Sequence, residues 1–446
     1  MNQMVESKEA LEVVDVPSVP KTKVYGVRWV VLAIFVMYSA CNSSHWIQLS
    51  IITDVIVKYY GISTTWVDWT SMIFMVLYVP FVFPASYLLE KLGLRKAVII
   101  GIVGTCAGAW VKVGSVSPDR FWLAFVGQTM IAFSQIFILS VPARVAAVWF
   151  GPTQVSSACS IGVFGNQLGI AIGFLVPPII VRADSTIEET STQFYVLHIS
   201  SAVVATIILV LILLFFENAP PTPPSHAAAQ QIASGDTVDF SVSLKNLIQN
   251  RSYVLLLIAY GIITGVFYAI STLLNQIILY YHPGANEDAG RIGLAIILAG
   301  MLGSVCCGVV LDKYRKFKET ILVVYAFSLV GMATYTFTLS SPIPVVYVIS
   351  CLLGFFMTGL LPVGFELAAE LTYPEPEGTS AGLLNAAANV FGIIFTSIYS
   401  FIFYQWSGLW ANLAMCVTLI VGTVLLACTS SDLRRQAAHS EKNALL

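Results

Sequence analysis

Twelve apolar stretches, each long enough to cross the hydrocarbon of a lipid bilayer, follow one another between Tyr25 and Ala427. Bilayer hydrocarbon is about 30 Å thick, so a crossing helix needs about 20 largely apolar residues. The stretches run 26–52, 66–89, 96–115, 119–143, 154–181, 194–216, 252–280, 289–311, 319–339, 343–366, 379–404 and 407–428. With 57% of its 446 residues hydrophobic and 10% charged, the chain cannot be packed as a water-soluble domain. An all-α integral membrane protein with twelve transmembrane helices is expected. The net charge of -2 and the lack of a lysine-rich block argue against nucleic acid as a partner.

Twelve crossings place both tails on one side. All but five of the 22 lysines and arginines fall on that side, the exceptions being Lys58, Lys112, Arg120, Arg182 and Arg291. The bias predicts cytoplasmic termini and a multi-pass protein of the plasma membrane. The polar residues 1–24 contain no apolar core of a cleaved signal peptide, so the first stretch is expected to remain as helix one. The eight cysteines lie in apolar stretches without CxxC spacing and read as small core residues. Near the C-terminus, Glu441, Leu445 and Leu446 have the form of an acidic dileucine sorting signal. A cytoplasmic adaptor reading it would route the protein to endosomal or lysosomal membranes.

One long hydrophilic interruption, rich in Pro, Ala, Gln and Ser, divides the helices six and six. The expected organisation is a tail over 1–24, a six-helix half over 25–217, a cytoplasmic linker over 218–250, a second half over 251–429 and a tail over 430–446. The halves repeat each other. Glu90-Lys91-Leu92-Gly93-Leu94-Arg95-Lys96 after the second stretch is echoed by Asp312-Lys313-Tyr314-Arg315-Lys316 after the eighth. Asn166 and Gly169 are echoed by Asn389 and Gly392, and Tyr38 and Trp46, eight apart, by Tyr260 and Tyr268.

No catalytic motif, P-loop or cluster of metal ligands appears, so neither an enzyme nor an ATP-driven pump is expected, and no metal or cofactor. Function must lie in polar and aromatic side chains that an apolar helix carries only when they face a passage or a partner. Ser39, Asn42 and Trp46 share a face of helix one, and Tyr260, Thr264, Tyr268, Ser271 and Asn275 recur at helical spacing on helix seven. Gln128 and Gln135 lie seven apart on helix four, and Asn385 and Asn389 share helix eleven. Trp46 and Tyr268 with the amides of Gln135 and Asn389 offer aromatic faces and hydrogen bonds but no mid-depth carboxylate. Asp54 and Asp68 fall near outer ends, and Glu366 and Glu370 at the cytoplasmic end of helix ten. Such a lining suits a poorly hydrated organic cation, which gains roughly 2 kcal/mol from a desolvated ring face. Choline fits, its hydroxyl meeting an amide. Interhelical hydrogen bonding is the alternative role for Gln135, and close helix packing for Asn166.

The repeated acidic-basic loop resembles the signature of the major facilitator superfamily, with Ser86, Leu94 and Arg315 departing from its pattern. Longer motifs resemble the feline leukaemia virus subgroup C receptor (FLVCR) family. They include Asn42-Ser-Ser-His-Trp46-Ile-Gln48, Gly108-Ala-Trp110-Val-Lys112-Val-Gly114-Ser115, Phe267-Tyr268-Ala-Ile-Ser271 and Tyr373-Pro-Glu-Pro-Glu-Gly-Thr-Ser380. The resemblance implies two pseudo-symmetric six-helix halves around a cavity lined by helices one, four, seven and ten. It implies transport of choline, and in some members ethanolamine, with a helix-one tryptophan and a helix-seven tyrosine enclosing the ammonium. Trp46, Tyr268 and Gln135 match that pattern, and Asn389 stands where the pattern has glutamine. Asn42, His45, Asn166, Thr264, Asn275, Glu366 and Asn385 are further cavity or gating candidates. Facilitative uniport by a monomer is expected, with Pro142, Pro177, Pro178 and Pro362 bending helices. The alternatives are haem transport, which would favour a wider pocket with basic residues and an axial ligand such as His45, and a non-transporting receptor.

Overall fold

The computed structural model describes residues 21–234, 239–434 and 437, and every regular element among them is helical. The candidate sorting residues Glu441, Leu445 and Leu446 and the tail over 1–20 lie outside the described residues. In chain order the helices of the first half are α1 (Arg28–Gln48), α2 (Thr53–Tyr60), α3 (Thr64–Leu92), α4 (Leu94–Val113), α5 (Phe121–Gln135), α6 (Val141–Trp149), α7 (Val155–Ile180) and α8 (Ile187–Phe215). Two short helices follow, α9 (His226–Ser234) and α10 (Phe240–Gln249). The second half contains α11 (Arg251–Thr272), α12 (Leu274–Tyr281), α13 (Asn286–Tyr314), α14 (Phe317–Thr338), α15 (Ile343–Thr372), α16 (Glu377–Gln405) and α17 (Gly408–Ala427).

Among the described residues, eleven helical spans are long and apolar enough to cross a membrane. The fourth expected crossing, 119–143, is broken rather than continuous: α5 ends at Gln135, and i→i+3 bonds (Ile138 N to Gln135 O, 2.9 Å; Val141 N to Ile138 O, 3.1 Å) lead into α6. Pro142 has no N–H to give to Ile138, and its ring would strike that carbonyl in a continuous helix. The segment still packs inside the bundle, α5 against α3 and α4 and α6 against α7. Helix one also breaks. A 3-10 turn at Ser50–Ile52 separates α1 from α2, and Leu273 separates α11 from α12 at the corresponding place in the second half. β-Branched and hydroxyl residues gather at both breaks (Ser50, Ile51, Ile52, Thr53; Ser271, Thr272) and compete with regular helix hydrogen bonding.

The repeat extends to packing. α1 lies on α7 and α8 as α11 lies on α16 and α17, and α4 lies on α5 and α8 as α14 lies on α15 and α17. The halves meet where α7 packs on α13 and α3 on α16. Backbones approach closely there: a Cβ on Gly290 of α13 would sit 2.6 Å from the Phe174 carbonyl of α7. Small residues permit such contact between membrane helices.

Tails and linker gather at one end, the tail end, where Lys23 N bonds Pro223 O (3.1 Å) and Ser252 bonds Ser430 (2.8 Å). The linker is partly folded. Asp239 caps α10, whose Phe240 packs on Phe83 of α3 (4.8 Å) and whose Asn246 bonds Glu375 (2.7 Å) beside α16. Exposed Trp66, Trp122, Trp406 and Trp410 mark the far end and Trp29, Tyr87 and Tyr314 the tail end, the two aromatic belts of a membrane protein. Cys306 and Cys428 are exposed rather than core, and all eight cysteines are free.

The repeated loops turn differently. Gly93 ends α3 with φ 87 and lies against Asn218, whereas Arg315 ends α13 in the left-handed region with φ 52. A side chain there costs about 1 kcal/mol relative to glycine. Arg315→Gly is expected to raise the thermal-unfolding midpoint of the purified protein; a lowered midpoint would show that the arginine side chain contributes more than its backbone costs.

Candidate functional site

The site is built where the two halves turn their broken helices toward each other. Trp46 occupies the last turn of α1 and Tyr268 the last turns of α11, and their rings touch edge to face with centroids 5.4 Å apart. The aromatic of each half thus meets its repeat partner at one depth. Gly392 of α16 makes room for Tyr268, since a Cβ there would lie 2.7 Å from the ring and 2.9 Å from Met75 Sδ. Tyr260, one repeat step earlier on α11, turns to α15, its ring against Gly364 and its centroid 5.5 Å from that of Phe365.

Around this pair the polar candidates divide. Gln135 is half-buried at the final residue of α5, beside the break. Asn389 is buried and gives its amide N–H to Asn385 O (2.7 Å), leaving its carbonyl as the available group. Asn385 is half-buried on α16, one turn before Asn389. Thr264 donates to Tyr260 O in its own helix (2.8 Å). Asn166 is half-buried, and its carbonyl accepts from Ser43 (2.9 Å) in the α1–α7 contact. Glu366 is exposed on α15. Asn42 does not face the passage: wholly buried, it donates to Thr105 Oγ1 (2.9 Å) and Ile131 O (3.3 Å), tying α1 to α4 and α5. His45 also points into the first half, its Nδ1 3.2 Å from Lys112 Nζ. Lys112, counted above among the outer-side bases, is fully buried in the last turn of α4.

Toward the far end the halves are sealed by carboxylates that the sequence offered only as terminal acids. Asn275 of α12 and Asn286 of α13 both donate to Asp54 of α2, the former over 3.2 Å. Asp68 of α3, buried, accepts from Gln276 Nε2 (2.7 Å) and Ser400 Oγ (3.3 Å), and Tyr404 donates to the same Gln276. Ser71 and Thr272 close the row at 2.9 Å. Gln276 and Tyr404 went unremarked as gate residues because a hydrogen bond between distant helices leaves no periodic trace.

Two six-helix halves joined along glycine-rich seams, with paired aromatics between them and a polar seal at one end, define a multi-pass membrane transporter. Residues 30–396 match the Major Facilitator Superfamily profile. Among solved structures, a bacterial homologue of the human lysosomal transporter Spinster, inward-facing and unoccupied, superposes with a TM-score of 0.64 at 12% identity, covering 92% of this chain and 97% of that one. The fucose:proton symporter of E. coli gives 0.62 at 14% identity, covering 90% and 98%. A zebrafish (Danio rerio) protein named choline/ethanolamine transporter flvcr2b is 48% identical over 95% of this chain and 87% of its own length. Human choline/ethanolamine transporter FLVCR2 is 46% identical over 93% and 79%, and an uncharacterised MFS-type transporter of Caenorhabditis elegans 49% over 94% and 72%. The chain belongs to the FLVCR family of the Major Facilitator Superfamily.

Proposed function

We propose that this protein is a facilitative transporter of choline, with ethanolamine as a second substrate, working as a monomer of the plasma membrane with both tails in the cytoplasm. The observation that carries the reading is the Trp46–Tyr268 contact, one ring from each half. The rings now touch, so an ammonium enters by parting them and is held by both faces, which couples substrate binding to the contact between the halves. Gln135 beside the α5 break and the Asn389 carbonyl are the groups for the substrate hydroxyl. Access alternates as the seal at Asp54 and Asp68 opens to the outside and the tail end opens to the cytoplasm. A permanently charged substrate is driven by its gradient and by membrane potential, worth about 2.3 kcal/mol per charge per 100 mV. The relatives named above as choline/ethanolamine transporters support the same substrate class. His45 lies within bonding distance of Lys112 inside the first half, which favours an ammonium substrate over haem.

The direct test is labelled choline uptake into cells expressing the protein. Saturable uptake, competed by tetramethylammonium and increased by inside-negative potential, is expected; its absence together with haem efflux would overturn the reading. Asn389→Gln separates hydroxyl contact from packing. A shift in apparent affinity for choline exceeding that for tetramethylammonium is expected, and equal shifts would assign Asn389 to packing alone.

A further inference from the structure

The polar centre of the first half has no part in the cycle above. Lys112 Nζ lies 2.7 Å from Gln48 Oε1, 2.9 Å from Gln128 Oε1 and 3.2 Å from His45 Nδ1. Both glutamine oxygens are aimed by other bonds. Gln128 Nε2 donates to the carbonyls of His45 (2.7 Å) and Thr70 (2.9 Å), and Gln48 Nε2 donates to Ser201 Oγ (3.0 Å), so in each amide the oxygen is left for the lysine. Lys112 lies in the last turn of α4, and His45 and Gln48, which meet its nitrogen, lie in the last turn of α1. Fixed acceptors favour the ammonium, with His45 accepting as a neutral imidazole. Among the neighbours, α8 adds His198 and Ser201, α5 the neutral Gln128, and α3 the Thr70 carbonyl, while Asp68 of α3 turns its carboxylate to the second half. None of the three groups bonded to Nζ is a carboxylate, so the charge is solvated by dipoles but not cancelled.

An intramembrane charge is costly to keep and marks function more often than packing. His45 and Gln48 flank Trp46 on α1, and while Trp46 meets Tyr268, His45 meets Lys112. The ammonium therefore stands on another face of α1 from the indole, across the helix from the aromatic pair. We propose that Lys112 is a specificity-determining residue, a fixed positive charge behind the Trp46–Tyr268 site that admits singly charged organic cations and rejects doubly charged ones. The inference rests on the organic-cation reading of that site. Repulsion grows with the product of the charges, so a second charge on a ligand of unchanged size doubles the penalty.

The test compares choline with (2-aminoethyl)trimethylammonium as competitors of labelled choline uptake at about pH 5.5, where the primary amine, lowered by the neighbouring quaternary charge, is protonated and the ligand carries two charges. The wild type is expected to prefer choline strongly, and Lys112→Gln to narrow that preference by about tenfold, the effect of one unit charge across a partly polar wall. Lys112→Arg keeps the charge and should keep the preference. Gln48→Glu sets a carboxylate beside the intact lysine, with the Ser201 hydroxyl turning to donate to it, and should narrow the preference as Lys112→Gln does even if the latter fails to fold. An unchanged preference in Gln48→Glu and in any surface-expressed Lys112→Gln, with choline uptake persisting, would overturn the charge filter alone. Failure of the wild type to take up choline would overturn the cation reading and the filter with it.

Discussion

Trp46→Ala removes saturable choline uptake from cells that display the variant at wild-type surface abundance. The indole is the larger of the two ring faces open to an ammonium, and a desolvated cation–π contact contributes about 2 kcal/mol or more, so apparent affinity should fall at least about 30-fold. Trp46→Phe, which keeps a weaker face, should retain part of it. Because Trp46 also touches Tyr268, its loss loosens the contact between halves, and the maximal rate should fall together with affinity. Unchanged uptake by Trp46→Ala would end the aromatic-pair account.

Asp68→Ala should hold the transporter open at its far end. Asp68 accepts from Gln276 and Ser400 in the second half, and Tyr404 leans on the same Gln276. Hydrogen bonds to a charged acceptor contribute about 1.5–3 kcal/mol each, and truncation leaves Gln276 buried without that partner. A shift of about 2 kcal/mol would change the ratio of closed to open forms about 30-fold. The readout is Ser71→Cys, placed in the same seal, in a background freed of the native thiols: a membrane-impermeant thiol reagent added outside should label it much faster when Asp68 is alanine. Equal labelling would show that Asp68 does not hold the halves together.

Much of this arrangement could be read before any coordinates. Windows of about 20 apolar residues locate the crossings because lipid imposes a length on helices, and the eight-residue spacing of Tyr38 to Trp46, repeated from Tyr260 to Tyr268, identified the rings that meet. Pro142 was expected to bend its helix, but hydropathy, which averages over its missing N–H, gave no sign that regular helix stops as early as Gln135. Asn42 was misplaced for a different reason: an amide on an apolar helix has the same pattern whether it faces a passage or, as here, Thr105 on the next helix. Lys112 sits near the end of its stretch, where a base ordinarily reaches water, and only three-dimensional packing shows it enclosed by α1, α5 and α8. The carboxylates at Asp54 and Asp68 were visible as residues but not as a seal, because their partners lie more than two hundred positions away.

The paired breaks in helices one and seven bear on how quickly a substrate can be sealed in. α2 and α12 are eight residues each, they contact one another, and they carry Asp54 and Asn275 between them. A cap made of two such short pieces can swing on its own joints while the long helices stay packed, so shutting the entrance need not wait for the bulk of the protein to tilt. A molecule caught between the rings would then be trapped by the lightest moving parts, and turnover would be limited by the heavier ones.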